Sequence, residues 1–435
     1  MAKEVKKAPA PGAAEGSLST DAIFKQLIGQ HNKLSEGIAT NGTNMESEVK
    51  YHIHSGSMLL NMILSNKADG GWPSGRVVEV FGKESIGKST LGYVAMGNCQ
   101  KMGGIAIYGD VERAGNKKFM RLLGVNLDEV VITNENIIER LFQGIEDNLK
   151  FLINNNIRRD KPVIIVVDSV TAMETEAEFE AGYGFNMNIQ MKKAMMLGKA
   201  LKKINPYLNK ANACLYLVNQ IRDNTSGYGE SYVVPGGKSI PFYASIRLYL
   251  QGKSKLVVKD PIVENQFQEA MAEWKRTKIG EKPVRGKADE VTIGYEVTAY
   301  TKKNKVAPPD RTAHFRIVFS KGLFDVECYL DYAIKFGIVR MSGAWCEFVH
   351  PQIKSLPKFY PTGWIDILTK NPDVFEKVEE LLIDKLTIPI DDELAAYSID
   401  AIESSDKDEY GVGNIDSTPS LYTLATAGVV DATED

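Results

Sequence analysis

A chain of 435 residues with 43% hydrophobic content can supply one large core and one or two smaller units, so size does not limit its stability. Its four cysteines, Cys99, Cys214, Cys328 and Cys346, lie far apart, with no C-x-x-C pair and no histidine at zinc-knuckle spacing, so they read as ordinary thiols in a reducing compartment. No run approaches the eighteen or so apolar residues of a membrane span, and the Ala-, Pro- and Lys-rich start has no apolar segment, which points to the cytoplasm and away from a membrane. The formal charge of −4 conceals a division: from Asp391 to Asp435 twelve acids face the single base Lys407, a net −11, leaving +7 on the preceding residues. A basic body with an acidic tail suits competition between tail and nucleic acid for one surface; taken alone, an acidic C-terminus is more often a solvated tail.

In chain order, Ser19-Thr20-Asp21 caps an expected helix whose apolar residues Ile23, Phe24, Leu27, Ile28 and Leu34 recur at three- and four-residue spacing. A short strand follows, with Val49, Tyr51 and Ile53 on one side and Lys50, His52 and His54 on the other. The apolar run Val77 to Phe81 then leads into Gly82-Lys83-Glu84-Ser85-Ile86-Gly87-Lys88-Ser89-Thr90, which has the form G-x-x-x-x-G-K-[ST]. Strand, phosphate loop and helix start stand in the required order, with the helix expected from about Lys88 to Gln100. Glycines let backbone N–H groups curl around phosphate oxygens, Lys88 brings a compact charge to the outer phosphates, and Ser89 offers a hydroxyl to Mg²⁺. The stretch predicts binding and hydrolysis of a nucleoside triphosphate.

Three further strands are expected to end at the same crevice. Gly104 to Tyr108 runs into Gly109-Asp110-Val111-Glu112, where Glu112 is a candidate for orienting the attacking water. The β-branched run Pro162 to Val167 closes in Asp168, a carboxylate for the Mg²⁺ shell, and Ala213 to Val218 ends in Asn219-Gln220, so Gln220 emerges beside Glu112 and Asp168. Between them a helix is expected from about Met187 to Leu208, with Met187, Met191 and Met195 inward. The Gly-, Ser- and Tyr-rich stretch from Asp223 to Lys238 reads as a loop that starts beside the active site.

Gly56-Ser57 through Asn61, Gly75-Arg76, the phosphate loop, Gly109 to Glu112, Val167 to Val170, Asn219 to Arg222, Phe242 to Leu248 and Gly343-Ala344-Trp345 together resemble the bacterial RecA recombinase family, over roughly Thr20 to Asp384. That resemblance implies an ATP-dependent helical filament on single-stranded DNA that pairs it with a homologous duplex. It implies that Lys88 and Ser89 hold phosphate and Mg²⁺, Glu112 activates water, Asp168 serves the metal, and Gln220 links the terminal phosphate to a DNA loop. Lys303 and Lys305, within Thr301 to Lys305, would reach the ATP of the neighbouring subunit; Asn116 and Phe119 would contact adenine. DNA contacts are implied at two loops, Glu178 to Ile189 with Lys192 and Lys193, and Arg222 to Ser239 with Gly236, Gly237 and Lys238.

The implied architecture is an α/β, RecA-type P-loop ATPase core with a mostly parallel central sheet. Around it stand a disordered extension (1–18), a helix-and-strand polymerisation element (19–54), the core (55–320), a small C-terminal α+β domain (321–390) and the acidic tail (391–435). Two departures stand out: Pro241 where the family usually has Lys, and a lengthened segment from Gly252 to Glu290 with a helix-like stretch from Val263 to Trp274. The lengthened segment and the Ala/Pro-rich start suit a bacteriophage-encoded member. A RecA-fold hexameric helicase is the alternative reading, and a non-enzymatic single-strand binding protein a third.

Overall fold

A computed structural model describes residues 25–28, 30, 48–157, 160–182, 189–224, 232–259, 261–278, 281–283, 290–319 and 321–389. The expected extension over 1–18, the cap at Ser19, Met187 and the acidic tail lie outside these. Met1–Glu48 and Val49–Asp435 form separate units. In the first, residues 25–28 and 30 are helical and Leu27 is exposed.

The second unit is built on nine strands. Six are parallel: β3 (Val77–Gly82), β4 (Ile105–Asp110), β5 (Val130–Thr133), β6 (Val163–Asp168), β7 (Ala213–Gln220) and β10 (Ile246–Lys259). The strands β11 (Glu290–Asn304), β12 (Thr312–Val318) and β13 (Gly322–Phe324) add antiparallel, giving the order β13-β12-β11-β10-β3-β7-β6-β4-β5. Short pairs complete the set: β1 (His52–Ile53) with β2 (Trp72–Pro73), β8 (Arg222–Asp223) with β9 (Tyr232–Val233), and β14 (Val339–Ser342) with β15 (Trp345–Phe348). The strand expected from Val49 is thus reduced to two residues, and its partner is the body's own Trp72–Pro73.

Alternation along the central strands fills two cores. Val78, Val80, Ile164, Val166, Tyr216 and Val218 enter one, with the helix Lys88–Lys101 over them. Val77, Val163, Ile165, Val167, Leu215 and Leu217 enter the other, beneath the helices Ile138–Asn154 and Ile189–Lys210. A parallel strand covered on both faces needs this continuous apolar character.

The last of these helices corrects the expectation for its methionines. Leu197, Leu201, Ile204 and Leu208 make the buried stripe, whereas Met191 and Met195 are 67% and 69% exposed. Met195 precedes Leu197 by two residues, about 200° around the helix, which turns it away from the sheet.

The lengthened segment is an arm. Leu250 pairs with Gly82 at the end of β3, and β10 then runs on to Lys259 with, among the described residues, only β11 beside it, for about 30 Å at the rise of a strand. The helix Pro261–Thr277 joins the two strands at the far end. After β13 the chain shares the first core: Trp364, Leu368, Val374, Val378 and Leu382 belong to the same cluster as Phe315 and Ile317. Arg311 ties this region to the start of the body, donating to the carbonyls of Met62 and Leu386, while Asn66 bonds Ile388 in both directions.

Candidate functional site

The register of the sheet sets the site. Gly82 lies level with Gln220, and Asp110 with Asp168, so the ends of β3, β7, β4 and β6 share one edge. Beyond Gly82 the phosphate loop turns through Ser85 (φ 59°) and Gly87 (φ 94°). A Cβ on Gly87 would stand 2.3 Å from Ile317 Cδ1, so β12 closes the loop from outside, and the positive φ is what calls for glycine here. Lys88 is buried and donates from Nζ to the carbonyls of Gly82 (3.1 Å) and Lys83. Burial lowers its pKa to about 8, against the pull of Asp168, Glu112 and Glu84.

Asp168 faces this lysine from β6. Burial, opposed by a hydrogen bond from Ser89 and assisted by the charge of Glu112, raises its carboxyl to about 6. A buried carboxylate on a serine hydroxyl, beside a lysine and a ring of backbone amides, fits a phosphate chain with a hard divalent cation. The same burial predicts a trade between stability and function. A carboxyl raised from 3.8 to about 6 penalises the folded state by roughly 3 kcal/mol above pH 6, and not at all below its unfolded value. In metal-free protein at pH 7.5, Asp168→Asn therefore raises the denaturation midpoint, and the gain vanishes by about pH 4. An unchanged midpoint at pH 7.5 would show that the carboxylate is already satisfied.

Asp110 builds the turn that presents Glu112, accepting from the N–H groups of Ala114 and Gly115 at 3.0 to 3.2 Å. The Glu112 carboxylate accepts from Ser169 Oγ and, at 3.2 Å, from Gln220 Nε2. The Gln220 backbone N–H donates to Asn219 Oδ1 (3.0 Å) and Thr171 Oγ1 (3.3 Å). Asn116 caps the helix Lys117–Leu122 by accepting from Phe119 N–H at 3.0 Å, and the half-buried Phe119 ring meets Tyr93 edge-on at 6.2 Å. Both residues therefore have a local structural use besides the adenine contact expected of them.

Beneath this edge lies a buried network that sequence reasoning did not assign. Glu79, fully buried on β3, receives Arg247 Nε at 2.6 Å and Asn219 Nδ2 at 2.9 Å; Asn219 also bonds the Pro235 carbonyl at 2.9 Å. The signal was an acid inside the apolar run Val77 to Phe81, a position that demands a partner. Arg247→Leu leaves that acid unpaired, and thermal unfolding should report a loss of about 3–5 kcal/mol. A loss under about 1 kcal/mol would mean that Asn219 alone satisfies Glu79.

The expected DNA residues divide. Lys192, Arg222 and Lys238 are exposed. Lys193 is half-buried and donates to the Thr171 carbonyl at 2.8 Å, with burial lowering its pKa. Gly236 and Gly237 adopt positive φ, and Gly237 packs so closely on Ala194 that a Cβ would come within 2.8 Å of it; Ser239 Oγ bonds the Ala194 carbonyl at 3.0 Å. The end of the second loop, at Gly237 and Ser239, is thereby seated on the helix that carries Lys192 and Lys193, while residues 225–231 of that loop and 183–188 of the first lie outside the described residues.

Lys303 and Lys305 stand elsewhere. Lys303 pairs with Arg247, and Lys305 N–H bonds the carbonyl of Ser245, whose own N–H bonds Val77 at the start of β3. Lys305 is thus about 17 Å along the strand from Gly82. Lys303 Nζ is held by the carbonyls of Pro241 (2.6 Å) and Phe242 (3.2 Å), and burial beside Lys305 and Arg247 lowers its pKa.

One protein family, described as the RecA N-terminal domain, matches residues 22–279. The chain belongs to the RecA family. Protein RecA of Borrelia duttonii is 33% identical over 319 residues, covering 73% of this chain and 75% of its own length. Protein RecA of Gloeobacter violaceus is 31% identical over 346 residues (79% and 81%), and that of Chlamydia pneumoniae 30% over 334 (76% and 81%). The family reading and the α/β P-loop core are both borne out, and the chain is a RecA-family recombinase. Among the described residues no helix is long and apolar enough to cross a membrane.

Proposed function

We propose that the chain is a DNA-dependent ATPase that forms helical filaments on single-stranded DNA and pairs it with a homologous duplex for strand exchange. The observation that carries this reading is the 3.2 Å bond from Gln220 to Glu112, because it joins the candidate water-orienting carboxylate to the strand that opens the second loop. In this reading the backbone of the phosphate loop and Lys88 hold the phosphates of ATP, and Ser89 and Asp168 hold Mg²⁺. The cation would neutralise charge on the outer phosphates. Glu112 orients water, and Ser169 fixes the carboxylate that does so. Lys192, Arg222, Lys238 and Ser239, with the amides of Gly236 and Gly237, hold the DNA backbone without reading its sequence.

The placement of Lys303 and Lys305 supports assembly. Neither reaches the phosphate loop of its own protomer, so a lysine contribution to ATP must come from another copy through a head-to-tail interface. The test is ATP turnover with and without single-stranded DNA, read beside negative-stain images and a strand-exchange assay with homologous and heterologous duplexes. DNA-stimulated turnover, helical filaments and homology-dependent exchange are expected. Closed rings, or turnover indifferent to DNA, would overturn the reading.

A further inference from the structure

The second loop returns to the core through β9, the limb opposite the one that Gln220 opens. Tyr232 on β9 stacks on Tyr249 of β10, with ring centroids 5.0 Å apart and planes at 16°. Tyr249 in turn stacks on Tyr300 of β11 at 6.0 Å. Both Tyr232 and Tyr249 lie against Phe81, at 6.2 and 5.4 Å, and the Arg247 guanidinium sits 4.9 Å from the centre of the same ring. Phe81 is 1% exposed and immediately precedes Gly82. The Gly82 carbonyl accepts from Lys88 Nζ at 3.1 Å and from Ile221 N–H at 3.3 Å, so one peptide group joins the phosphate-binding lysine to the foot of the second loop.

Packed rings do not yield by small continuous amounts; they stay stacked or they repack. A ligand that displaces β9 must therefore slide Tyr232 off Tyr249 or carry Phe81 with it, and Phe81 is one residue from the carbonyl on which Lys88 rests. On the reading that this loop binds DNA, we propose that Tyr232 is a positioning residue that couples DNA on the second loop to the phosphate loop through Tyr249 and Phe81. This path is separate from the bond between Gln220 and Glu112.

The test uses the full chain, Mg²⁺-ATP and single-stranded oligothymidylate. Tyr232→Leu should cut DNA stimulation of turnover by about five- to tenfold, within the range of ordinary coupling between sites. DNA-free turnover and nucleotide-free affinity for oligothymidylate should match the parent. Tyr232→Phe, which keeps the ring, should retain the stimulation, a rescue that general destabilisation would not give. In a double-mutant cycle with Gln220→Ala, separate paths predict losses that multiply. Parental stimulation in Tyr232→Leu would overturn the inference. So would a nucleotide-free DNA affinity that falls as far as the stimulation does, since Tyr232 would then be a direct base contact. A parent whose turnover ignores DNA would instead remove the proposed function, and this inference with it.

Discussion

Glu112→Gln is expected to lower ATP turnover by about 10² to 10⁴, the range for removing a positioned general base. Nucleotide affinity and filament length should stay near those of the parent. The geometry separates the two effects: the phosphate cradle is made by the loop from Gly82 to Thr90, whereas the Glu112 carboxylate accepts its hydrogen bonds from Ser169 and Gln220, outside that loop. Glutamine keeps an oxygen to accept from Ser169 Oγ and loses the charge proposed to orient water. Measured turnover with unchanged binding of a fluorescent ATP analogue would support the role. Lost binding would place Glu112 in the cradle itself.

The second large effect belongs to the distant lysines. Lys303→Ala with Lys305→Ala should cost about 10³ to 10⁵ in turnover, as loss of a charge supplied from a neighbour does elsewhere among P-loop enzymes. Each such protomer keeps an intact cradle. Mixing this variant with Lys88→Ala, which has intact lysines and a disabled cradle, should restore activity at up to about a quarter of sites in a random equimolar filament. A mixture as inactive as its parts would show that the lysines serve their own protomer after all. Releasing Lys303 from the carbonyls of Pro241 and Phe242 is a necessary step before it can act elsewhere.

Much of the sheet edge was legible in the sequence because parallel strands buried on both faces announce themselves as apolar runs. The residue that ends each run then falls at a known edge, which is why Glu112, Asp168 and Gln220 could be named together. The assignment failed where periodicity was short or mixed. Met191 and Met195 fit a three- to four-residue spacing, yet the stripe that binds the sheet begins at Leu197 and leaves them in solvent. The partnership of Glu79 with Arg247 spans 168 positions, and no local pattern predicts it. Ser169 and Thr171 were hidden for a different reason: they act through hydroxyl bonds to Glu112 and Asn219, and hydroxyls leave no mark on a hydropathy pattern.

The long-range ties at Arg311 also bear on how the chain reaches this structure. The helix Met58–Ser65 is made early, yet its Met62 carbonyl waits for Arg311, the carbonyls of Ile63 and Leu64 wait for Asn304, and Asn66 waits for Ile388, 322 positions later. Contacts of such separation are slow to form and leave apolar surface open in the interval. Phe315 and Trp364, which share one core with that helix, are equally late. A chain emerging from the ribosome therefore holds a complete phosphate-loop sequence long before it holds a closed body. Its newborn P-loop half keeps apolar surface open until the helix Pro372–Leu386 packs into that core.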